Sequence, residues 1–361
     1  MTERLRIGWF FQDLNPGGGQ RVCKEVSKIL ARRGHIVTIV VPKGRAKNAS
    51  IEGVKIVEAG VKSANPAMSI VASLPFMYFA LGRQDVVISS MPFMGILNAL
   101  KTNIRLKYHW LQSDDLALFS DRSLIKSEIA LKMYFQSVKA SYHLPVKYWT
   151  NSNWTREKFN RFSDKEVRIV NCGVNQSIFS PGDLSESDEI TIGAVGRRVK
   201  FKGLEDIVAS LNILADKGIK FNLRVFSKDR LELLRTSFKA EIISPPDDYA
   251  LAEEYRKCSV FVSASWHEGF YLPSLEAMSC GAPIVTTDSG GCREYAVHGE
   301  NCLMVPPKKP ELLAEAIQRM LNDKEMRMRM RKAGIETASK FSWENCVNRI
   351  EDNIASDMER K

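Results

Sequence analysis

Two carboxylates, Glu268 and Glu276, stand eight residues apart in the stretch from His267 to Met278. Pro273 suits the first turn of a helix, so the spacing puts Glu268 on a loop and Glu276 about one turn into a helix. Carboxylates accept hydrogen bonds from hydroxyl groups, and free amides at a helix start attract anions. The pattern favours a ligand rich in hydroxyls and phosphate. Because such spacing is also common on solvated surfaces, the pair needs support from other groups.

Two cations lie in the same half of the chain, just after an apolar stretch. Arg197 and Lys202 follow residues 190–195, which are predicted to form a strand, and precede a helical pattern that starts at Gly203. A planar guanidinium and a point-charge ammonium at the carboxyl end of a strand can bracket a diphosphate. They would also stabilise negative charge on a leaving group. An exposed basic loop is the alternative interpretation.

Glycines mark two further loops that follow predicted strands. Gly290 and Gly291 lack a side chain where a ligand or another backbone could approach closely. Near the N-terminus, Gly18 and Gly19 open a helix after the first strand and can present amides to an anion. This loop is not the dinucleotide fingerprint, since Val22 stands where the third glycine belongs.

A strand predicted at 104–111 is followed by polar residues that could face a ligand. These candidates are His109, Gln112, Asp114 and Asp115. Strand alternation puts His109 and Gln112 on opposite faces of the sheet. A histidine inside such a strand is more typical of core packing than of catalysis, so Gln112 and Asp114 are the stronger candidates.

Short apolar stretches alternate with helical patterns through almost the whole chain, which is typical of a parallel sheet with crossover helices. The alternation breaks at 171–175 and in the polar tract 180–188, where we place a linker. The predicted fold class is α/β, with two doubly wound domains in tandem and ligands expected in the cleft beyond their strand ends. The predicted strands are 5–11, 35–41, 54–57, 85–89, 104–111, 148–151, 167–170, 190–195, 221–226, 241–243, 260–263, 283–286 and 302–305.

Composition describes a soluble protein of 361 residues, with 44% hydrophobic and 26% charged residues. Seven cysteines without a Cys-x-x-Cys pair, and no secretory segment, predict a reduced, cytoplasmic location. The uncharged stretch 63–82 contains two prolines, and we interpret it as a buried crossover helix. A segment lying at a membrane interface and a membrane span remain as alternatives.

The net charge of +10 is unevenly distributed. Residues 1–180 hold 26 Lys and Arg against 13 Asp and Glu, whereas residues 181–361 hold 26 against 29. A basic first half could meet an anionic membrane surface, a lipid-linked phosphate or a nucleic acid, and it could also serve solubility alone. The basic stretch 324–332 is the best nucleic-acid candidate, but it is read more simply as a surface helix.

The order and spacing of these motifs resemble the retaining glycosyltransferases of family 4, which have the GT-B architecture of two facing Rossmann-like domains. The resemblance covers nearly the whole chain. The residues that carry it are Gly17–Gly19, Ala31–His35, Asn171–Asn175, Gly196 and Arg197 with Lys202 and Gly203, the Glu-x7-Glu pair, Gly290 and Gly291 with Glu294, and Phe341–Trp343.

By that resemblance, Arg197 and Lys202 would hold the diphosphate of a nucleotide-sugar donor, and Glu268 would hold the transferred sugar. Glu276 would hold the ribose, and amides around Gly269, Phe270, Tyr271 and Leu272 would also meet the sugar. Arg197, Lys202 and Glu268 would be the catalytic groups. The nucleotide-sugar is a substrate, and no cofactor or metal is implied, because the cations take a divalent ion's place.

The resemblance also predicts three segments: an acceptor-side domain at 1–180, a donor domain at 181–340, and a helix at 341–361 that crosses back to the first domain. In the first domain, Gly18, Gly19, Gln112 and Asp114 are the cleft candidates. Two departures stand out. Gln112-Ser113 occupies the place where many relatives have His-Asp, and Tyr271 replaces a small residue, which could narrow the sugar pocket.

The leading interpretation is a retaining, metal-independent hexosyl- or deoxyhexosyltransferase acting on a glycan or lipid-linked acceptor, in polysaccharide or glycolipid synthesis. It would be cytoplasmic, with or without peripheral contact at the inner face of the membrane. A nucleotide-sugar epimerase or hydrolase of the same fold is one alternative. Another is a catalytically inactive binding protein, although no nucleic-acid partner is expected.

Overall fold

The computed structural model describes residues 3–15, 17–46, 49–63, 66–118, 127–182, 189–232 and 236–360. They form two compact units. One holds the described residues up to Cys172 together with the segment from Trp343, and the other holds Gly173–Ser342. Each unit is built on a parallel sheet with helices, as the alternation in the sequence predicts.

The sheet of the first unit has seven parallel strands in the order β3-β2-β1-β4-β5-β6-β7. Its direction of growth reverses between β1 and β4, and strand ends at such a switch point are the usual ligand side of an open sheet. The strands are β1 Arg6–Phe10, β2 Ile36–Pro42, β3 Val54–Ala59, β4 Val86–Ser89, β5 Leu106–Leu111, β6 Lys147–Thr150 and β7 Val167–Ile169. The helices up to this point are α1 Gly18–Arg32, α2 Pro66–Ala80, α3 Pro92–Leu100, α4 Asp115–Leu118, α5 Glu128–Ser141 and α6 Asn153–Asn160.

The central strands of this sheet are buried on both faces. All four residues of β4 are buried, which explains the continuous apolar stretches in the sequence. His109 in β5 is fully buried, with its ring edge-on to Tyr148, so the core interpretation of this histidine is confirmed. Because crossovers between parallel strands are right-handed, α1 lies on one face of the sheet, and α2, α3 and α5 lie on the other.

The second unit repeats the plan with six parallel strands in the order β10-β9-β8-β11-β12-β13. Its core joins strand residues such as Ile192, Val225 and Val262 to helix residues such as Leu211 and Ile317. The strands are β8 Thr191–Val195, β9 Asn222–Phe226, β10 Lys239–Ile243, β11 Val260–Ser263, β12 Ile284–Thr287 and β13 Cys302–Val305. The helices are α7 Leu204–Asp216, α8 Asp248–Arg256, α9 Leu272–Ser279, α10 Pro310–Asn322 and α11 Lys324–Ala338, with 3-10 turns at Lys200–Lys202 and Gly291–Glu294.

The last helix, α12 at Trp343–Glu359, belongs to the first unit. Its buried Asp357 accepts hydrogen bonds from the Tyr108 hydroxyl at 2.7 Å and from Lys147 at 2.9 Å. Arg168 pairs with the same carboxylate at 3.0 Å. Glu351 on the same helix pairs with Arg33, at the end of α1. The helix is therefore fixed to the first unit at two separate places.

The compact units change over at 172/173 and 342/343, while the predicted segments change at 180/181 and 340/341. Part of the predicted linker is bonded to the second unit. Val174 donates to the Phe341 carbonyl at 2.9 Å, and Arg256 donates to the carbonyls of Ile178 and Ser180. The rest of the tract, 183–188, lies outside the described residues.

The uncharged stretch at 63–82 contains α2, the crossover between β3 and β4; residues 64 and 65 lie outside the described part. Met77 is buried as predicted, but Phe79 is 78% exposed, so the helix is buried on one face only. Among the described residues, no helix is long and apolar enough to cross a bilayer.

Candidate active site

The turn after β8 brings Lys202 against the end of β11. Gly203 ends this turn with a φ of +70°, and a Cβ at that position would lie 2.0 Å from the Ala264 carbonyl oxygen. Only glycine allows both the left-handed backbone and this close approach. The Trp266 amide also donates to the Phe201 carbonyl at 2.8 Å. The turn at 200–203 and the loop after β11 are thus joined by backbone contacts.

Lys202 and Glu268 meet across this junction. The Lys202 ammonium nitrogen lies 2.6 Å from Oε1 of Glu268. The rings of Phe201 and Tyr271 have their centroids 5.2 Å and 5.6 Å from the same nitrogen. Both charged side chains keep some exposure, 26% for Lys202 and 11% for Glu268. Lys202 and Glu268, one predicted cation and one predicted carboxylate, therefore form an ion pair that solvent can reach.

Glu268 is also held by the glycine loop after β12. Its amide donates to the Ser289 carbonyl at 2.8 Å, and its carbonyl accepts from the Gly291 amide at 2.9 Å. A Cβ on Gly291 would lie 1.9 Å from the Gly269 carbonyl oxygen. The close approach that we predicted at Gly291 is therefore made by another backbone segment, and it fixes the loop that carries Glu268.

Tyr271 stands at the N-terminus of α9 in an unusual conformation. Its φ is +65°, a region that favours glycine. The side chain is buried, which raises the pKa of its hydroxyl, and that hydroxyl faces Ser263 and Ser265. The Tyr271 carbonyl accepts a hydrogen bond from Tyr295 at 2.7 Å. A bulky ring is therefore held firmly beside Lys202, at the helix start that the sequence predicted around Pro273.

The remaining predicted donor residues differ in exposure. Glu276, one turn into α9, is only 3% exposed, and one of its oxygens lies 3.4 Å from the Tyr255 hydroxyl. Phe270 packs against Tyr295, and Leu272 is buried. Of the two carboxylates predicted from the sequence, Glu268 is therefore the accessible one, and Glu276 lies inside the unit.

Arg197 follows β8 as predicted, but its partner is Asp229 rather than a residue of the Lys202 group. Its Nε donates to the Asp229 carboxylate at 3.2 Å, and the Arg198 amide donates to the same oxygen at 3.1 Å. Asp229 was not among the site residues predicted from the sequence. Asp229 could have been predicted, because it follows β9 as Arg197 follows β8, and these two strands are neighbours in the sheet.

In the first unit, the structure brings Gly19 and Gln112 together. Gly19 lies in the first turn of α1, which follows β1, and Gln112 directly follows β5; β1 and β5 flank β4 in the sheet. A Cβ on Gly19 would be 2.9 Å from the side-chain oxygen of Gln112. The Gln112 carbonyl accepts from the Asn151 side-chain amide at 2.7 Å. Gly18 begins α1, and a Cβ there would meet open space.

The two aspartates after Gln112 have local structural partners. Asp114 accepts a hydrogen bond from the Leu116 amide at 3.1 Å and lies 3.9 Å from the Lys158 ammonium. Asp115 is buried. Burial raises its pKa to about 6, and the negative charge of Asp114 acts in the same direction, whereas the hydrogen bond from Ser113 lowers the pKa. Within the ranges that the structure describes, no group of three potential metal-ligating side chains is found.

Comparison with known proteins connects the second unit to one family model. Residues 176–337 match the model for glycosyl transferases group 1. An uncharacterized glycosyltransferase of Methanocaldococcus jannaschii is 26% identical over 236 residues, which cover 63% of this chain and 64% of that protein. A D-inositol 3-phosphate glycosyltransferase of Corynebacterium glutamicum is 26% identical over 202 residues, covering 49% of this chain and 48% of that protein. The chain thus matches about half to just under two thirds of the length of these relatives.

A solved structure gives a match over the whole chain. The sucrose-phosphate synthase of Thermosynechococcus elongatus has a TM-score of 0.85 at 20% identity, covering 99% of this chain and 100% of that chain. A likeness at this level of identity identifies the fold. With the two parallel sheets and their strand orders, it shows that the chain has the α/β GT-B fold of two Rossmann-like domains that the sequence predicted.

Proposed function

We propose that this protein is a glycosyltransferase that uses a nucleotide-sugar donor, and that the second unit binds the donor. The observation that carries the proposal is the Lys202–Glu268 pair, 2.6 Å apart at the strand ends and beside the start of α9. An ammonium group next to helix amides suits a diphosphate, and a carboxylate beside it suits sugar hydroxyls. The match of residues 176–337 to glycosyl transferases group 1 supports this.

In the proposed site, the donor diphosphate takes the place of Glu268 as the partner of Lys202. Negative charge grows on the diphosphate as the sugar leaves, and a cation already in place stabilises that charge without reorganisation. Glu268 is then free to accept hydrogen bonds from the sugar. Arg197 is proposed as a second phosphate contact and Glu276 as the ribose contact. Each would exchange its present neighbour, Asp229 or Tyr255, for the donor.

We further propose transfer with retention of configuration, as in family 4, to a glycan or lipid-linked acceptor held by the first unit. The Gly18–Gly19 helix start and Gln112 are the groups proposed to meet it, with amides and an uncharged side chain rather than a carboxylate base. With the diphosphate charge met by Lys202 and Arg197, no divalent ion is required. Activity should therefore be unchanged after treatment with EDTA.

A thermal-shift series tests donor binding first. Uridine, guanosine, adenosine and thymidine diphosphates are added to the full chain, and one of them should raise its melting temperature, because a ligand of the folded state stabilises that state. The Lys202→Ala variant should lose most of this shift. Lys257→Ala is the matched control, since Lys257 pairs with Glu254 in the same unit. No shift with any of the diphosphates would contradict the proposal.

Product analysis then tests the reaction. The donor identified in this way is incubated with and without glycan and lipid-linked acceptors, and the anomeric configuration of the product is read by NMR. Glu268→Gln, which keeps the shape but removes the charge, should lower kcat/KM by at least about 100-fold. Turnover of the donor without any acceptor would instead identify an epimerase or hydrolase of the same fold.

A further inference from the structure

Helix α2 carries apolar side chains on its outward face as well as on the face that packs against the core. Ser69 and Ser73 point inward and are fully buried, together with Met77 one turn later. On the outward face, Met68 is 64% exposed and Phe79 is 78% exposed. Surface helices normally turn their apolar stripe to the core and their polar side chains to water.

The inward serines have a structural reason that fixes the rotation of the helix. The Ser73 hydroxyl accepts a hydrogen bond from the Val61 amide at 3.2 Å, and the Ser69 hydroxyl donates to the Val61 carbonyl at 3.3 Å. Gly60 has a φ of +93°, and a Cβ there would lie 2.5 Å from the Ser73 side chain. The connection from β3 thus lies directly on the serine face, and Met68, Val71 and Phe79 point outward.

The outward residues form an apolar surface that continues onto the neighbouring helix. Val71 and Phe76 are 52% and 54% exposed, and Leu100 at the end of α3 is 64% exposed. A shallow groove of about 380 Å³ lies between the two helices. Its walls include Pro75, Tyr78, Phe79, Phe93, Ile96 and Leu100. An exposed apolar surface of this extent on a soluble domain marks a site of interaction. We call it the α2–α3 face.

The charged residues in the sequence around α2 and α3 are mostly cations, one of which, Arg105, pairs with Glu3. Between Val61 and Ser113 the sequence has five Lys and Arg and a single acidic residue, Asp85, whose carboxylate accepts the Arg6 amide at 2.8 Å. Arg83, just after α2, is exposed. Lys101, just after α3, is buried, and its ammonium group donates to the Tyr78 carbonyl at 2.6 Å.

We propose that the α2–α3 face docks on the surface of a phospholipid bilayer that contains anionic lipids. Aromatic and aliphatic side chains would enter the boundary between headgroups and acyl chains, and the exposed cations Lys62 and Arg83, which flank α2, would meet lipid phosphates. The 15 residues of α2 are too few to span the roughly 30 Å hydrocarbon core, so the helix lies along the surface. The inference depends on the first unit alone and adds to the proposed function a membrane location near a lipid-linked acceptor.

Vesicle binding by the full chain tests the docking surface. The protein is sedimented with phosphatidylcholine vesicles that contain or lack about 30% phosphatidylglycerol, at about 50 mM and about 500 mM NaCl. Binding should require the anionic lipid and weaken with salt. The double variant Phe76→Glu/Phe79→Glu should lower the partition coefficient at least about tenfold. Tyr249→Glu is the matched control, because Tyr249 is an aromatic residue of the second unit that is 64% exposed.

A site-specific probe gives an independent measurement. The seven native cysteines are all buried, so a cysteine introduced at position 79 can be labelled selectively with a polarity-sensitive dye. The emission of the dye on Phe79→Cys should shift to the blue when anionic vesicles are added. The same dye on Tyr249→Cys should not respond. A response at both positions, or at neither, would overturn the assignment of the docking surface.

Two further outcomes separate this inference from its competitors. If the wild type self-associates without binding vesicles, and Phe76→Glu/Phe79→Glu abolishes that association, the α2–α3 face is an interface between copies of the chain and the membrane proposal is wrong. The melting-temperature shift by the donor diphosphate is measured in the same variant. A retained shift together with lost vesicle binding in this variant supports both proposals. If the wild type binds vesicles but shows no shift with any diphosphate, the docking surface stands and the donor site is refuted.

Discussion

The backbone conformation of Gly203 determines where Lys202 lies relative to Glu268. Its left-handed φ and its contact with the Ala264 carbonyl let the Lys200–Lys202 turn lie against the loop that carries Glu268. The position of Lys202 therefore depends on a residue that has no side chain. In the sequence this glycine marked the start of a helical pattern and was part of the motif shared with family 4, but its contact with Ala264 could not be predicted.

The Gly203→Ala substitution should destabilise the protein by about 3 kcal/mol or more, since a left-handed alanine costs about 1 kcal/mol and the contact with a backbone oxygen adds to it. Urea unfolding measures the change. Gly218→Ala is the control, because Gly218 has a similar φ of +80° but open space around it. Equal losses in the two variants would mean that backbone strain, and not the contact with Ala264, accounts for the effect.

Tyr271 is the residue whose substitution should change the choice of donor sugar most. Its ring lies beside Lys202 and at the start of α9, where the sugar is proposed to bind. Tyr271→Gly should broaden the range of accepted sugars, whereas Tyr271→Phe, which keeps the ring, should leave the ranking of donors unchanged. The measurement is kcat/KM for nucleotide-sugars that share one base and differ in the sugar. An unchanged ranking in Tyr271→Gly would show that the ring does not limit the pocket.

Among the elements, α12 shows how one buried carboxylate can hold a helix. Burial acts to raise the pKa of Asp357, but hydrogen bonds from Tyr108 and Lys147 and the charge of Arg168 lower it below its ordinary value. A group with a lowered pKa in the folded state contributes stability above its ordinary pKa near 4 and loses it as the pH falls through the folded-state pKa. The attachment of α12 should therefore weaken in acid.

Asp357→Asn should lower the free energy of unfolding by about 2 kcal/mol at pH 7, and the difference from the wild type should shrink as the pH falls below about 4. Chemical denaturation across a pH series measures this. Asp352→Asn is the control, since Asp352 lies on the same helix and is exposed. A difference that stays constant down to pH 3 would show that the charge of Asp357 is not what matters.

Helix α11 contains the basic stretch that was the best nucleic-acid candidate in the sequence. The three arginines of this stretch are engaged in local structure. Arg327 donates to the carbonyls of Met320 and Leu321 at the end of α10, and Arg329 donates to the Gly299 carbonyl. Arg331 is buried. The interpretation of this stretch as a surface helix of the second unit is supported by these contacts.

The elements could be predicted from the sequence because parallel strands buried on both faces leave continuous apolar stretches, and all the strands described were predicted within about two residues at each end. Pairings between distant residues could not be predicted in this way. Arg197 with Asp229, and Asp357 with Tyr108, depend on which strands become neighbours. The outward apolar face of α2 was not predicted either. The pattern of hydrophobic residues does not show which side of the helix is covered by the segment after β3, which is hydrogen-bonded to Ser69 and Ser73.

At the scale of the whole molecule, the charge divides with the compact units. The segment 173–342 contains 23 Lys and Arg against 24 Asp and Glu, so the positive charge of the chain lies almost entirely in the first unit. We propose accordingly that the near-neutral unit binds the donor and the basic unit carries the membrane surface. The two roles can then be separated by cutting the chain at the boundaries of the units.

The fragment 173–342 should fold alone and keep the diphosphate-induced rise in melting temperature, because it contains the complete β8–β13 sheet together with Lys202 and Glu268. A fragment that starts at residue 181, the boundary predicted from the sequence, should unfold at a lower temperature. It lacks the hydrogen bonds of Val174 with Phe341, of Phe179 with Ser279, and of Arg256 with Ile178 and Ser180. Each of those bonds joins the linker to the second unit, and their summed loss should be measurable as a lower melting temperature.

Equal melting temperatures for the two fragments would place the boundary at 180/181. A diphosphate shift absent from both fragments but present in the full chain would mean that donor binding needs the first unit.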